Sequence, residues 1–363
     1  MASMGLTSAR LERLHRSLEL ALNQEWPQLD KTRRRLAPLQ PVTIQPLSAG
    51  ARTIPIVATV ATDGGESRLS LDPIHIQVLR VADSDGEVYF EDFIPLSLAP
   101  EEILRFYFKS EPRLQQFLGY LSSDWEALLP RSEFQRSNLL AMLRELMEWA
   151  ALLKLASQPP AKLIIRDGLL RSVLLTDFVF QRLRERFETL TAKHGHLLVG
   201  VAKRSRVINY LAVALGLTKS FAGGEPSYLA VPAELEREAA PAQYRWIGDR
   251  AMGQLYVARL DRGEAVPLLP VDMAGWQTER TAETMALLHE SALGSFPLRG
   301  YPHALIRAHE YAHLGGIEAE FLERLLLDEI AARDPATAEQ ARRLKLLGRQ
   351  LVEELDHDQP TET

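Results

Sequence analysis

The stretch IPIVATVATDGG, residues 54–65, decides how this chain is read. Ile56, Val57, Ala58, Val60 and Ala61 make a β-rich apolar run, and Asp63-Gly64-Gly65 follows it. The pattern predicts a strand closed by turn-forming residues. Just downstream, HIQVLRVADSDGEVYFEDFIPL, residues 75–96, has two strand-like halves flanking Asp83-Ser84-Asp85-Gly86. That is a hairpin pattern. Residues 54–97 are therefore expected to form three consecutive antiparallel strands.

On the N-terminal side, residues 7–36 read as a helix with Leu11, Leu14, Leu18 and Ala21 on one face, closed by Pro38 and Pro41. On the other side a long helical stretch, 99–156, is broken at Pro112 and Pro130. Its last helix carries Leu139, Leu143, Leu146, Ala150 and Leu153 on one stripe. KLIIRDGLL (162–170) is a second buried strand ending in Asp-Gly, and HLLVGVAK (196–203) a third that runs into a basic cluster, with an amphipathic helix at 177–194 between them. Residues 207–216 read as helix and 217–245 as loop. GQLYVARL (253–260) and 265–272 pair about Asp261-Arg262-Gly263. Helices follow at 281–293, 302–314 and 317–333, and the acidic tail ELDHDQPTET (354–363) reads as disordered. The fold class is mixed α/β. An N-terminal helical segment covers 1–45 and a main domain 46–335, with a helical insertion at 99–156. A C-terminal segment, 336–363, holds a helix and the tail.

Composition narrows the chemistry. The 363 residues carry 42 basic and 48 acidic side chains, a net charge of −6. A uniformly basic surface is excluded, while a local basic groove is not. There is no cysteine, which excludes disulfide frameworks, thiolate metal sites and cysteine nucleophiles. With 46% hydrophobic and 25% charged residues the chain can bury an ordinary core. It contains no apolar run long enough for a membrane span and no signal-peptide core, so a soluble cytoplasmic protein with no membrane partner is expected.

The sharpest chemical feature is the pair of strands that both end in Asp-Gly, at Asp63 and Asp167. Carboxylates past the ends of neighbouring strands can converge at a sheet rim and hold a hard divalent cation. Either Asp-Gly also reads simply as a turn. Glu148, on the helix before the second strand, shares a side with Leu152 and Leu155 and is expected to be partly buried, so it needs a partner or a metal. Glu145 competes with it one turn back, and a surface glutamate paired with Arg144 or Lys154 is the plainer reading. Lys203-Arg204-Ser205-Arg206 suits a phosphate backbone, or is a solvated charge run. Finally, His309-Glu310-Tyr311-Ala312-His313 is a literal H-E-x-x-H, which on a helix puts two imidazoles on one face to hold zinc. A zinc metallopeptidase would need a third ligand from downstream, where Glu318, Glu320 and Glu329 are available.

Taken together, ATDGG at 61–65, LIIRDGLL at 163–170, GVAKRSR at 200–206 and GYPHALIRAHE at 300–310 resemble the NurA nucleases, in the family's order and over residues 50–330. The resemblance implies an RNase H-like mixed sheet flanked by helices, a toroidal homodimer, and Mn²⁺-dependent DNA cleavage, with Mg²⁺ as the alternative ion. It also implies a HerA-like hexameric ATPase as partner in end resection during double-strand break repair. Carried over, Asp63, Glu148, Asp167 and His309 become metal ligands. Lys203 contacts the phosphate, and Arg204 and Arg206 join it on DNA. On this reading Glu310 and His313 are incidental. Family members often have Asp-Gly-Ser where this chain has Asp63-Gly64-Gly65, so any contact of that hydroxyl is lost here. A catalytically inactive DNA-processing scaffold remains the alternative outside enzymology.

Overall fold

The computed structural model describes residues 8–47, 56–203, 220–239 and 250–357, together with 211, 213–216 and 218. Among the described residues the chain is mixed α/β. Its strands are β1 (Val42–Thr43), β2 (Ala58–Leu71), β3 (Ile74–Asp83), β4 (Val88–Pro95), β5 (Lys162–Asp167), β6 (Leu197–Val201), β7 (Ser227–Ala230), β8 (Gly253–Arg259) and β9 (Leu269–Ala274). The main helices are α1 (Ser8–Leu36), α2 (Pro112–Leu121), α3 (Leu139–Ala156), α4 (Asp177–His194), α5 (Ala233–Ala239), α6 (Thr281–Ala292), α7 (His303–Ala312), α8 (Gly316–Arg333) and α9 (Pro335–His357). No described helix is long and apolar enough to cross a membrane.

The chain divides into two compact units. The second unit is Ile56–Arg166, Leu174–His196 and Ala304–Thr363. In it β2 is the organising strand. It pairs parallel with β5 from Ala58↔Lys162 to Thr62↔Arg166, and antiparallel with β3 from Thr62↔Asp83 to Leu71↔Ile74. The β3–β4 hairpin forms as expected. Gly86 takes φ 90° in the turn, and Asp83 Oδ1 accepts from the amides of Asp85 and Glu87 at 2.9 and 3.0 Å. Helix α3 is buried nearly all round, because it packs between sheet and helix: Leu143, Leu146, Trp149 and Leu152 are fully enclosed. Trp149 meets Phe180 and Phe187 of α4 at ring distances of 6.2 and 5.8 Å. Helices α8 and α9 bring Ile330, Ala338 and Ala341 against Leu71.

The first unit is Met1–Pro55, Asp167–Val173 and Leu197–His303. Its strands lie in the order β1-β7-β8-β9-β6, each pair antiparallel. Leu36 at the end of α1 joins Phe221, Leu229, Leu255 and Val257 in its core. Arg35 and Lys31 of α1 pair with Glu238 of α5 at 2.5 and 3.5 Å.

Three expectations are corrected. Asp63-Gly64-Gly65 is not a turn, for β2 runs through it to Leu71; the ladder to β3 continues with Gly64↔Val81 and Gly65↔Arg80. Residues 217–245 are not all loop, since β7 and α5 lie there. The four residues of β7 form because β8 supplies a ladder from Ser227↔Arg259 to Ala230↔Tyr256, a signal no local pattern carries. The backbone of 354–357 continues α9 to His357, so the tail's expected disorder does not hold for those residues; 358–363 lie outside the described residues. The periodic leucines of α1 lie in solvent: Leu11, Leu14 and Leu18 are each about half exposed.

Candidate active site

Asp63 sits where β2 changes company. Thr62 is paired on both sides, to Arg166 of β5 and Asp83 of β3, and beyond it only the β3 ladder continues. Alternation along the strand puts Asp63 and Gly65 on one face and Gly64 on the other. On the first face lies α7. Nδ1 of His309 donates to Asp63 Oδ2 at 2.7 Å, and Asp63 is only 8% exposed. One turn on, Nδ1 of His313 donates to the carbonyl of His309 at 3.0 Å, and the two rings lie 4.0 Å apart. One ligand atom from each of Asp63, His309 and His313 lies within 4.8 Å of the other two. Gly65 makes this approach feasible, because a Cβ there would collide with the backbone of Ala312.

On the other face, a Cβ at Gly64 would fall on the Glu148 carboxylate. Glu148 is buried, with Arg166 Nη2 at 2.9 Å from Oε2 and Arg144 Nε at 3.5 Å from Oε1. Burial pushes its pKa up to about 7; Arg166 and Arg144 pull it down, and the charges of Asp63 and Glu145 push it further up. Glu145, the competing carboxylate, instead accepts from Trp149 Nε1 at 3.1 Å. The Arg166 guanidinium lies 4.5 Å over the Trp149 ring, so one arginine ties Glu148 to the helix core. Glu148 is thus next to the strand segment that carries Asp63, yet outside the group of three.

In the first unit Asp167 ends β5, and Gly168 turns away with φ 112°. Tyr301 Oη donates to Asp167 Oδ1 at 3.2 Å, and Lys203 Nζ lies 3.1 Å from Oδ2. The ammonium also stands 5.5 Å over the Tyr301 ring. The loop that follows is fixed by Asp272 of β9, which is fully buried. Asp272 accepts from the Leu170 amide at 3.1 Å and from Arg171 Nε at 2.7 Å, and Glu236 is the second partner of Arg171. The sequence expectation thus finds Asp63 beside His309 and Asp167 beside Lys203. Arg204 and Arg206 lie outside the described residues.

The sequence reading underweighted three residues. Arg166 is charged within an otherwise apolar strand, which is itself a sign of a buried counter-charge. Tyr301 belongs to a motif noted only as a string. His313 was set aside as incidental, yet it lies with Asp63 and His309. Of the downstream candidates Glu318, Glu320 and Glu329, Glu318 is bound to Arg80, and among the described residues the group found with both histidines is the upstream Asp63.

The NurA domain family model matches residues 57–314, well over half of the chain. Among solved structures, the NurA nuclease from Sulfolobus solfataricus is similar over 89% of this chain and 98% of its own, at 14% identity and a TM-score of 0.44. A structure of NurA bound to dAMP and manganese is similar over 93% of this chain and 99% of its own, at 14% identity and a TM-score of 0.39. No curated protein matches the sequence.

Proposed function

The chain belongs to the NurA domain family, and from that premise we propose that it is a divalent-metal-dependent DNA nuclease. The observation that carries the reading is the donor set on one face of β2 and α7, a carboxylate and an imidazole in contact, Asp63 and His309, in a chain without thiolates. Oxygen and nitrogen donors of this kind suit Mn²⁺, with Mg²⁺ as the alternative. In this proposal Asp63, His309, Glu148 and Asp167 hold the metal. Glu148 lies against Gly64, the position beside Asp63 that has no side chain. A bound divalent ion supplies charge neutralisation of the scissile phosphate and a more acidic water.

The protein's own groups do the rest. Lys203 carries a fixed cation beside Asp167 and binds a phosphate oxygen there. Tyr301 orients the Asp167 carboxylate through its hydroxyl. His309, hydrogen-bonded to Asp63, assists proton movement at the same face. Arg204 and Arg206 extend the basic contact along the DNA backbone. The wider setting is part of the same proposal. It comprises a nuclease domain spanning 46–335 with an RNase H-like core, a homodimer, and a HerA-like hexameric translocase that delivers duplex DNA for end resection in double-strand break repair. The exposed leucines of α1 support self-association.

The test is degradation of linear DNA by purified protein with Mn²⁺ or Mg²⁺, with and without the translocase. Asp63→Ala and Asp167→Ala, shown to be folded by circular dichroism, should each lose roughly a thousandfold or more of the activity, the scale of losing a metal-bound transition state. Full activity in both variants overturns the assignment.

A further inference from the structure

The H-E-x-x-H segment holds a second histidine, His313, that the proposed chemistry does not use. We infer that His313 is a second imidazole ligand of the metal centre, and that it shifts this chain's ion preference away from Mg²⁺ towards borderline ions such as Co²⁺ and Zn²⁺. The inference rests on the metal reading of Asp63 and His309 above.

Three independent observations carry it. The first is reach: one ligand atom from each of Asp63, His309 and His313 lies within 4.8 Å of the other two, compatible with one ion bridging them. The second is tautomer. A carbonyl oxygen can only accept, so the 3.0 Å contact from His313 Nδ1 to the His309 carbonyl places the proton on Nδ1 and leaves Nε2 as a bare lone pair. The His313 ring is thus held by a second hydrogen bond in the form that coordinates metal, while His309 Nδ1 and Asp63 Oδ2, 2.7 Å apart, are already as close as two ligand atoms of one ion would be. The third is the absence of side chains that would intervene. Gly65 faces the backbone of Ala312 and Nδ1 of His313, so even a methyl group there would push the end of α7 away from β2. The i, i+4 spacing then stacks the rings at 4.0 Å on one side of the helix.

A donor set of one carboxylate and two imidazoles discriminates. Mg²⁺ favours oxygen ligands and retains its water, whereas imidazole suits the later divalent ions. His313 therefore sets which ion the centre takes, where Asp63 and His309 set whether it takes one.

The experiment is metal binding, read apart from activity. Full-length protein stripped with chelator is titrated with Co²⁺, followed by its visible absorption, and with Zn²⁺, Mn²⁺ and Mg²⁺ by calorimetry. The wild type is compared with Asp63→Ala, His309→Ala, His313→Ala and His313→Gln, and with Glu310→Gln as a neighbouring control. The expected result is that both His313 variants lose roughly tenfold or more of Co²⁺ and Zn²⁺ affinity while Mg²⁺ affinity changes little. Their Co²⁺ spectrum should also differ from wild type, and Glu310→Gln should match it. If the His313 variants bind Co²⁺ and Zn²⁺ like wild type while Asp63→Ala and His309→Ala do not, the role of His313 is overturned and the metal centre stands. If the wild type itself binds none of the four ions, the metal reading falls and this inference with it.

Discussion

Glu148 is a carboxylate held in the wrong solvent for its charge. Its burial outweighs two arginines, and the result is a pKa of about 7. An acid whose pKa is higher in the folded chain than in the unfolded one favours folding in its protonated form. That contribution is complete below about pH 4.5 and fades as pH rises through about 7. Glu148→Gln carries no such titration. In metal-free buffer its stability relative to wild type should therefore rise by about 3 kcal/mol between pH 4.5 and pH 8. Urea denaturation of both proteins across that range checks it, and a difference independent of pH would mean that Glu148 titrates normally. At this scale much was legible. Asp63 and His309 were named from motif alone, and Glu148 from its apolar i+4 and i+7 neighbours. Arg166 was not, because its partner sits on a helix 18 residues earlier and only folding brings them to 2.9 Å.

At the scale of elements, the loop after β5 shows what positions Asp167. The chain turns at Gly168, and Asp272, three residues into the antiparallel partner of β6, clamps Leu170 and Arg171. Gly253 leaves room for that carboxylate, since a Cβ there would overlap it. Asp272→Ala would take a buried carboxylate from the Arg171 guanidinium, which keeps its pairing with Glu236. A loss of about 3 kcal/mol is expected, at the lower end for breaking a buried ion pair, measured as a fall in the denaturation midpoint without change in slope. A loss below about 0.5 kcal/mol would show that the clamp is dispensable. Sequence patterning found the β3–β4 and β8–β9 hairpins, where alternation and turn residues agree. It missed β7 and α5, whose existence depends on a partner strand and on the basic end of α1. It also took Asp63-Gly64-Gly65 as punctuation. Two adjacent glycines mark a turn in most contexts, and nothing local reveals that here α3 and α7 press on the strand from its two sides.

At the scale of the whole molecule, α1 sets a leucine stripe in solvent. Leu14 and Leu18 are about half exposed, and Trp26 is 56% exposed, on a helix whose far end is anchored in the first unit. Periodicity identifies the stripe but not what covers it, because a pattern of leucines specifies an apolar face without naming the partner. If a second copy covers it, as proposed, Leu14→Glu with Leu18→Glu should convert a dimer to monomer in sedimentation velocity. Monomer stability should change by less than about 0.5 kcal/mol, as for other exposed positions. A dimer that persists in the double variant places self-association elsewhere. The net charge of −6 also reads differently at this scale. Three acidic groups, Glu148, Asp167 and Asp272, are each paired with an arginine or a lysine, so the overall balance says little about the local sign of the charge.

The two-sidedness of β2 has a consequence for how such a chain can vary. Parity along the strand decides which helix each side chain meets. A single inserted or deleted residue between Ala58 and Gly65 would hand Asp63 to the α3 side and bring a side chain under Ala312. The connections ahead of α3 and the turn at Asp83–Glu87 have no such arithmetic. Length differences in this chain's descendants should therefore accumulate there, while the spacing from Ala58 to Gly65 stays frozen even where its residues drift.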